Sequence, residues 1–278
     1  MSKDLLERSG VLDYLGVRFL LAAAVLALVR PGLLVRLDRH TVRAGAGLGV
    51  VYTVAQALQF LGLKQTAPTV SAFVVAMYVV FTPLLAAVVL RRRPDRTSVL
   101  ATALATVGVA AMSLRGWAIG PGELLTLVAA VLYAVHILAV GAWARAGAAF
   151  ELAFVQLLTM GVLFTVVAAP GGIDVPQGRD WPAFVYLSVG AAAVALLVQT
   201  WAQAHLDPAR AAVLMVLEPV WAALFAFALW HEALGLRTLA GATLVLAAMV
   251  IVITRPGTLT GSGASMAENR VSCGSPGA

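Results

Sequence analysis

Glu218 lies in the middle of "VLMVLEPVWAALFAFALW" (213–230), a long apolar helix pattern, with Pro219 directly behind it. A carboxylate at the centre of a membrane helix costs about 2.5–3.5 kcal/mol, so Glu218 is expected to face a bundle interior or water. Pro219 deletes a backbone donor and is expected to bend the helix, leaving carbonyls about one turn earlier free. The chemistry available to Glu218 is amine binding or proton coupling; the competing reading is a structural hydrogen bond that holds the kink. Other polar residues recur on single helix faces: Tyr52, Gln56 and Gln59 at i, i+4 and i+7, Tyr133 and His136 at i and i+3, Gln199 and Gln203 at i and i+4. Each set makes a stripe that could line a cavity. Gln and Tyr in membranes also serve as interhelical glue worth about 1 kcal/mol. His136 reads either as a titrating or substrate-contacting group or as a satisfied core histidine. Trp201, Trp221 and Phe225 read as lipid-facing or packing residues, with flanking the cavity as the competing reading.

Other chemistry is poorly supported. "HEALG" (231–235) lacks the second histidine of a zinc-protease helix, and His231 and Glu232 read as a solvated or helix-capping pair at a membrane edge. The single cysteine, Cys273, offers neither a disulfide nor a Cys-based metal site. "GAGLG" (45–49) lacks the third spacing of a dinucleotide loop; Gly45 and Gly49 read as a close-packing pair of small residues. No Ser/His/Asp set or paired carboxylates stand out in the loops. No metal or other cofactor is expected.

The elements that must position these side chains are helices in a bilayer. The 278 residues are 61% hydrophobic and 12% charged, with a mean hydropathy of +0.94, more apolar surface than one water-soluble core could hide. The chain reads as an all-α integral membrane protein. Nine spans are expected, at 14–35, 45–63, 69–90, 98–114, 122–143, 149–169, 182–204, 209–230 and 236–254. They are separated by turn signals such as "RPG", "RRRPDR", "GPG", "APGG" and "DPAR". The tail after Arg255 is small and polar and reads as disordered. Arg outnumbers Lys 17 to 2, which reads as the coding bias of a GC-rich genome; no nucleic-acid partner is implied. Twelve Arg lie in one alternating set of loops and six Lys or Arg in the other, which makes the first set, and with it the C-terminus, cytoplasmic.

Sliding the chain on itself by 140 residues superposes Gln59 on Gln199, Pro68 on Pro208, Leu84 on Leu224 and Arg115 on Arg255. The same register places Tyr78 on Glu218, so Tyr78 joins the candidate site. A repeat of odd helix count inserts its second copy upside down, and its polar stripes converge near the bilayer midplane. Three units are expected: a first repeat over 1–115, a second over 120–255, and a polar cytoplasmic tail over 256–278.

"LGLKQTAPTVSAFVVAMYVVFTPLLAAVVLRRRP" and "AHLDPARAAVLMVLEPVWAALFAFALWHEALGLRTLAGATLVLAAMVIVITRP" resemble the two halves of an EamA-type transporter of the drug/metabolite transporter superfamily. The most characteristic features are the "LEP", the "HE" at that helix's end and the small-residue-rich last helix. The resemblance implies two inverted EamA repeats, ten helices, both termini cytoplasmic, and a central cavity. It also implies secondary transport of a small metabolite, an amino acid or related compound or a toxic compound, across the plasma (cell inner) membrane by alternating access; Glu218 makes protons candidate coupling ions. An intramembrane enzyme or a non-transporting scaffold is the competing class. An enzyme should gather acidic or His residues at one membrane face, and a scaffold needs no converging stripes. Family members begin with a complete apolar helix before the motif resembling "VRFLLAAAV", whereas about thirteen mixed residues precede Tyr14 here, too few to span. The expectation is an annotated start placed too late, with a tenth helix ahead of Met1; the alternative is a true nine-helix protein.

Overall fold

The computed structural model describes residues 11–89, 96–115, 118–172, 178–205 and 235–254. Helix α1 spans Val11–Val29. It stops short of the expected 35 because Pro31 disfavours a helical residue before it. Arg30 accordingly turns to φ −133°, ψ 81°, and Pro31–Arg36 winds into a 3-10 turn. Helix α2, Arg39–Leu63, begins six residues before the expected span, because Asp38 caps it by accepting from the Thr41 amide at 2.7 Å. Pro68, whose missing N–H is harmless at a helix start, opens α3, Pro68–Val75. The span then breaks at Ala76 and Met77 and resumes as α4, Tyr78–Val89, with i→i+3 bonds such as Met77 N to Val74 O at 3.2 Å.

Helix α5 covers Arg96–Ser113 and leads into a two-residue antiparallel pairing, Leu114–Arg115 with Ala118–Ile119. Helices α6 (Pro121–Trp143) and α7 (Ala149–Ala168) follow. Helix α8, Trp181–Ser188, runs through a π-helical segment, Val189–Val194, into α9, Ala195–His205. Helix α10 is Leu236–Thr254. Among the described residues six stretches are long and apolar enough to cross a membrane, and Val99–Ala111 and Leu236–Ile251 are shorter apolar helices. Eight of the nine expected spans therefore have their helix; the other, 209–230, lies outside the described residues. Side chains such as Val107, Val166 and Leu100 are exposed on the outer surface, where a bilayer rather than water is the fitting solvent.

Among the described residues the two largest of three apolar clusters hold the bundle together. One joins Tyr14, Phe19, Phe164 and Phe184 from α1, α7 and α8; the other joins residues of α3, α4, α5, α6 and α10, including Phe73, Val80, Ala105, Ala130 and Met249. Tyr52 of α2 packs against both. Helix α2 also lies close on α7, and the two glycines expected to permit close packing do so. A Cβ on Gly45 would stand 2.7 Å from Val155 Cβ, and one on Gly49 the same distance from Thr159 Cβ. Only a residue without a side chain allows that approach.

Candidate functional site

Between the two clusters lies a cavity of about 450 Å³, large enough for one small molecule. Tyr52, Gln56, Gln59, Tyr78, Tyr133, Gln199 and Gln203 all line it. Two stripes on separate helices thus converge whole, because i, i+4 and i+7 on α2 and i, i+4 on α9 turn the same faces inward, and Tyr133 alone joins them from the third. Tyr133 donates its hydroxyl hydrogen to Gln59 Oε1 at 2.6 Å. The Tyr52 and Tyr133 rings meet edge-on with centroids 5.1 Å apart, and Tyr78 stands 6.3 Å from Tyr133. The Oε1 atoms of Gln56 and Gln203 are buried and accept no hydrogen bond among the described residues.

His136 is placed differently. It does not line the cavity but stands behind Tyr52, ring centroids 4.6 Å apart, and is 1% exposed. Its Nε2–H donates to Gln156 Oε1 at 2.7 Å, while Gln156 Nε2 donates to the Leu152 carbonyl at 3.3 Å. That geometry orients Tyr52 from the rear. Trp201 is half-exposed and stacks on His205 at 4.8 Å, away from the cavity wall. Glu218 and Pro219, with His231, Glu232, Trp221 and Phe225, lie outside the described residues.

The sequence reading missed Arg18, which also lines the cavity. It is 5% exposed, although it carries a full charge on a membrane helix. Its Nε donates to the Leu187 carbonyl at 3.3 Å and its Nη2 to the Ala191 carbonyl at 3.1 Å. These acceptors border and belong to the π-helical segment, where widened i→i+5 winding disturbs the ordinary bond ladder. Three ring faces surround the guanidinium: Phe19 at 5.6 Å, Tyr14 and Phe60 at 5.9 Å. Cation–π attraction offsets part of the lost hydration. The signal was present in the sequence, for Arg18 stands inside the expected span 14–35, within the apolar run "VRFLLAAAV".

Residues 1–114 and 120–254 both match the EamA-like transporter family. The chain belongs to the EamA-like transporter family. It is 29% identical over 217 residues to an uncharacterized transporter of Archaeoglobus fulgidus, a match covering 76% of this chain and 68% of that one. A solved crystal structure of a protein superposes with a TM-score of 0.64 at 18% identity, over 94% of this chain and 88% of the other, a likeness of fold alone. This EamA protein is thus a multi-pass membrane transporter with a small-molecule substrate. Its two matched repeats both build the cavity: α1, α2, α3 and α4 belong to the first and α6, α7 and α9 to the second. The two packing clusters likewise each draw helices from both repeats.

Proposed function

We propose that this EamA transporter is a secondary transporter that moves a small metabolite across the plasma membrane by alternating access, its cytoplasmic C-terminus fixed by the loop arginines. The observation that carries the reading is the convergence of Tyr52, Gln56, Gln59, Tyr78, Tyr133, Gln199 and Gln203 on one cavity between two packed clusters. Amides and phenols hydrogen-bond a small polar solute without fixing it irreversibly, as a carrier that must release its cargo requires. Rocking of one cluster against the other, with Tyr52 at their seam, would open the cavity to each side in turn. Because each cluster takes helices from both repeats, the moving bodies are the clusters, not the domains 1–115 and 120–255; residues 256–278 form a cytoplasmic tail.

Glu218, superposed on Tyr78 by the repeat register, is assigned amine binding or proton coupling, with Pro219 supplying the bend. The test is reconstitution of the full chain into liposomes loaded with a metabolite mixture, followed by mass spectrometry of what leaves or enters. A time-dependent, saturable flux of one compound class is expected, lost or stripped of its pH dependence in Glu218→Gln. Flux equal to that of protein-free liposomes for every compound would refute transport. Wild-type flux and pH dependence in Glu218→Gln would remove that residue from the mechanism.

A further inference from the structure

We infer that the cavity is built for a small organic anion, a carboxylate with an apolar or aromatic body, and that Arg18 is the residue that binds its charge. The inference rests on the transport reading only in taking this cavity as the substrate site.

Arg18 carries five N–H donors, of which two are engaged by the carbonyls of Leu187 and Ala191. Among the described residues no ion pair includes it; the two whose partners are both described are Arg30 with Glu151 and Arg145 with Asp38. A buried guanidinium with no counter-charge among the described residues is costly to maintain, because desolvation falls on a full positive charge and neutral carbonyls return only part of it. A protein that needed only a bridge between α1 and the π-helical segment could make it with a neutral donor. Arg18 also lies on the cavity wall, so the charge adjoins the space a solute would fill. The two carbonyl bonds and the faces of Tyr14, Phe19 and Phe60 restrict the guanidinium before any solute arrives, so little ordering cost remains at binding.

The geometry points to a carboxylate because the planar guanidinium fork presents parallel N–H groups to two oxygens at once. The opposite side of the recognition is set by what else lines the space. Tyr52, Tyr78 and Tyr133 supply aromatic surface, while Ala192 and Ala195 leave room beside the π-helical segment. The unpartnered Oε1 atoms of Gln56 and Gln203 accept, so a hydroxyl or amino group on the same solute finds a partner there. A volume of about 450 Å³ limits the solute to one small metabolite.

The test uses the purified full chain and a panel of aliphatic and arylalkyl acids, each paired with its primary amide and with the amine of the same carbon skeleton. Binding is read by calorimetry and by thermal unfolding, and competition is read against flux in liposomes. At least one acid is expected to bind about tenfold to a hundredfold tighter than its amide and amine, the range of a charge-assisted hydrogen bond. Arg18→Gln should erase that preference and Arg18→Lys should keep part of it. No acid outbinding its amide and amine in the wild type, or an undiminished preference in folded Arg18→Gln, would overturn the inference. Where Arg18→Gln does not fold, the wild-type ranking decides alone. Acids that bind while no compound is carried would leave the anion site standing and refute transport, whereas carried amines or neutral solutes with no acid binding would do the reverse.

Discussion

Alanine at Gly47 and at Gly49, two residues apart on α2, is expected to shift stability in opposite directions. At Gly47 an added Cβ would meet Trp143 Cζ3 at 3.7 Å, an ordinary contact. The substitution there mainly removes backbone freedom and improves helix propensity, worth about 0.5–1 kcal/mol. At Gly49 the same atom would stand 2.7 Å from Thr159 Cβ and 3.0 Å from the Gln156 carbonyl oxygen. Carbon atoms prefer about 3.5–4.0 Å, so the facing helices must part by about 1 Å. Neither obstacle can rotate away: Cβ is fixed by the backbone, and Thr159 is held in place by its hydroxyl bond to the Val155 carbonyl at 2.8 Å. Overpacking of that kind costs about 1–3 kcal/mol. The propensity gain is common to both variants and cancels in the comparison, leaving Gly49→Ala less stable than Gly47→Ala by about 1–3 kcal/mol. Reversible unfolding in mixed micelles, followed by tryptophan fluorescence, measures the difference. Variants equal to within about 0.5 kcal/mol would refute close contact between α2 and α7 at Gly49.

Other substitutions probe the seams around the cavity. Tyr133→Phe removes the hydrogen bond to Gln59 and should cost about 0.5–2 kcal/mol in the same unfolding assay while raising the KM of flux. Glu151, 4% exposed at the start of α7, pairs at 3.2 Å with Arg30, whose side chain is 35% exposed. Glu151→Gln frees a cation that can turn to water and should cost about 1 kcal/mol, whereas Arg30→Gln strands a buried carboxylate and should cost about 3 kcal/mol; equal losses would contradict the asymmetry. The Asp38 carboxyl is held below its ordinary 3.8, first by the Thr41 side-chain hydrogen bond, then by the Thr41 amide, with Arg145 and His40 adding to it. A lowered value means that its contribution is complete above pH 3.8 and lost as pH falls through the lowered value. The stability difference between wild type and Asp38→Ala should therefore be flat near neutrality and shrink in acid, and a difference that grows in acid would refute the cap.

Periodicity made much of the fold and of the cavity legible. Tyr52, Gln56 and Gln59 could be placed together because a helix repeats every 3.6 residues whatever surrounds it. The partner across the cavity could not: which helices pack is decided by tertiary contacts, so nothing local shows that α1 lies on α7 and α8 rather than beside its own repeat. His136 illustrates the same limit. Its i, i+3 spacing to Tyr133 puts both on adjoining faces of α6, and only the approach of Gln156 from α7 turns the histidine away from the cavity. The π-helical "VGAAAV" was invisible because small apolar residues carry no periodic signal of winding. Arg18 was legible as well, since a lone cation in "VRFLLAAAV" carries the same cost of burial in a membrane as a lone carboxylate in 213–230. The end of α1 was legible too, for Pro31 forbids the continuation to 35.

Sided thiol labelling tests alternating access most directly. Ala195 lines the cavity and is exposed to it, and Cys273 is the chain's single cysteine. Ala195→Cys in a Cys273→Ser background, reconstituted in one orientation, is treated with a charged membrane-impermeant thiol reagent added to one side or the other. Reaction from both sides is expected, slowed from both by a transported solute. Reaction from one side only, under every solute and pH condition, would contradict it.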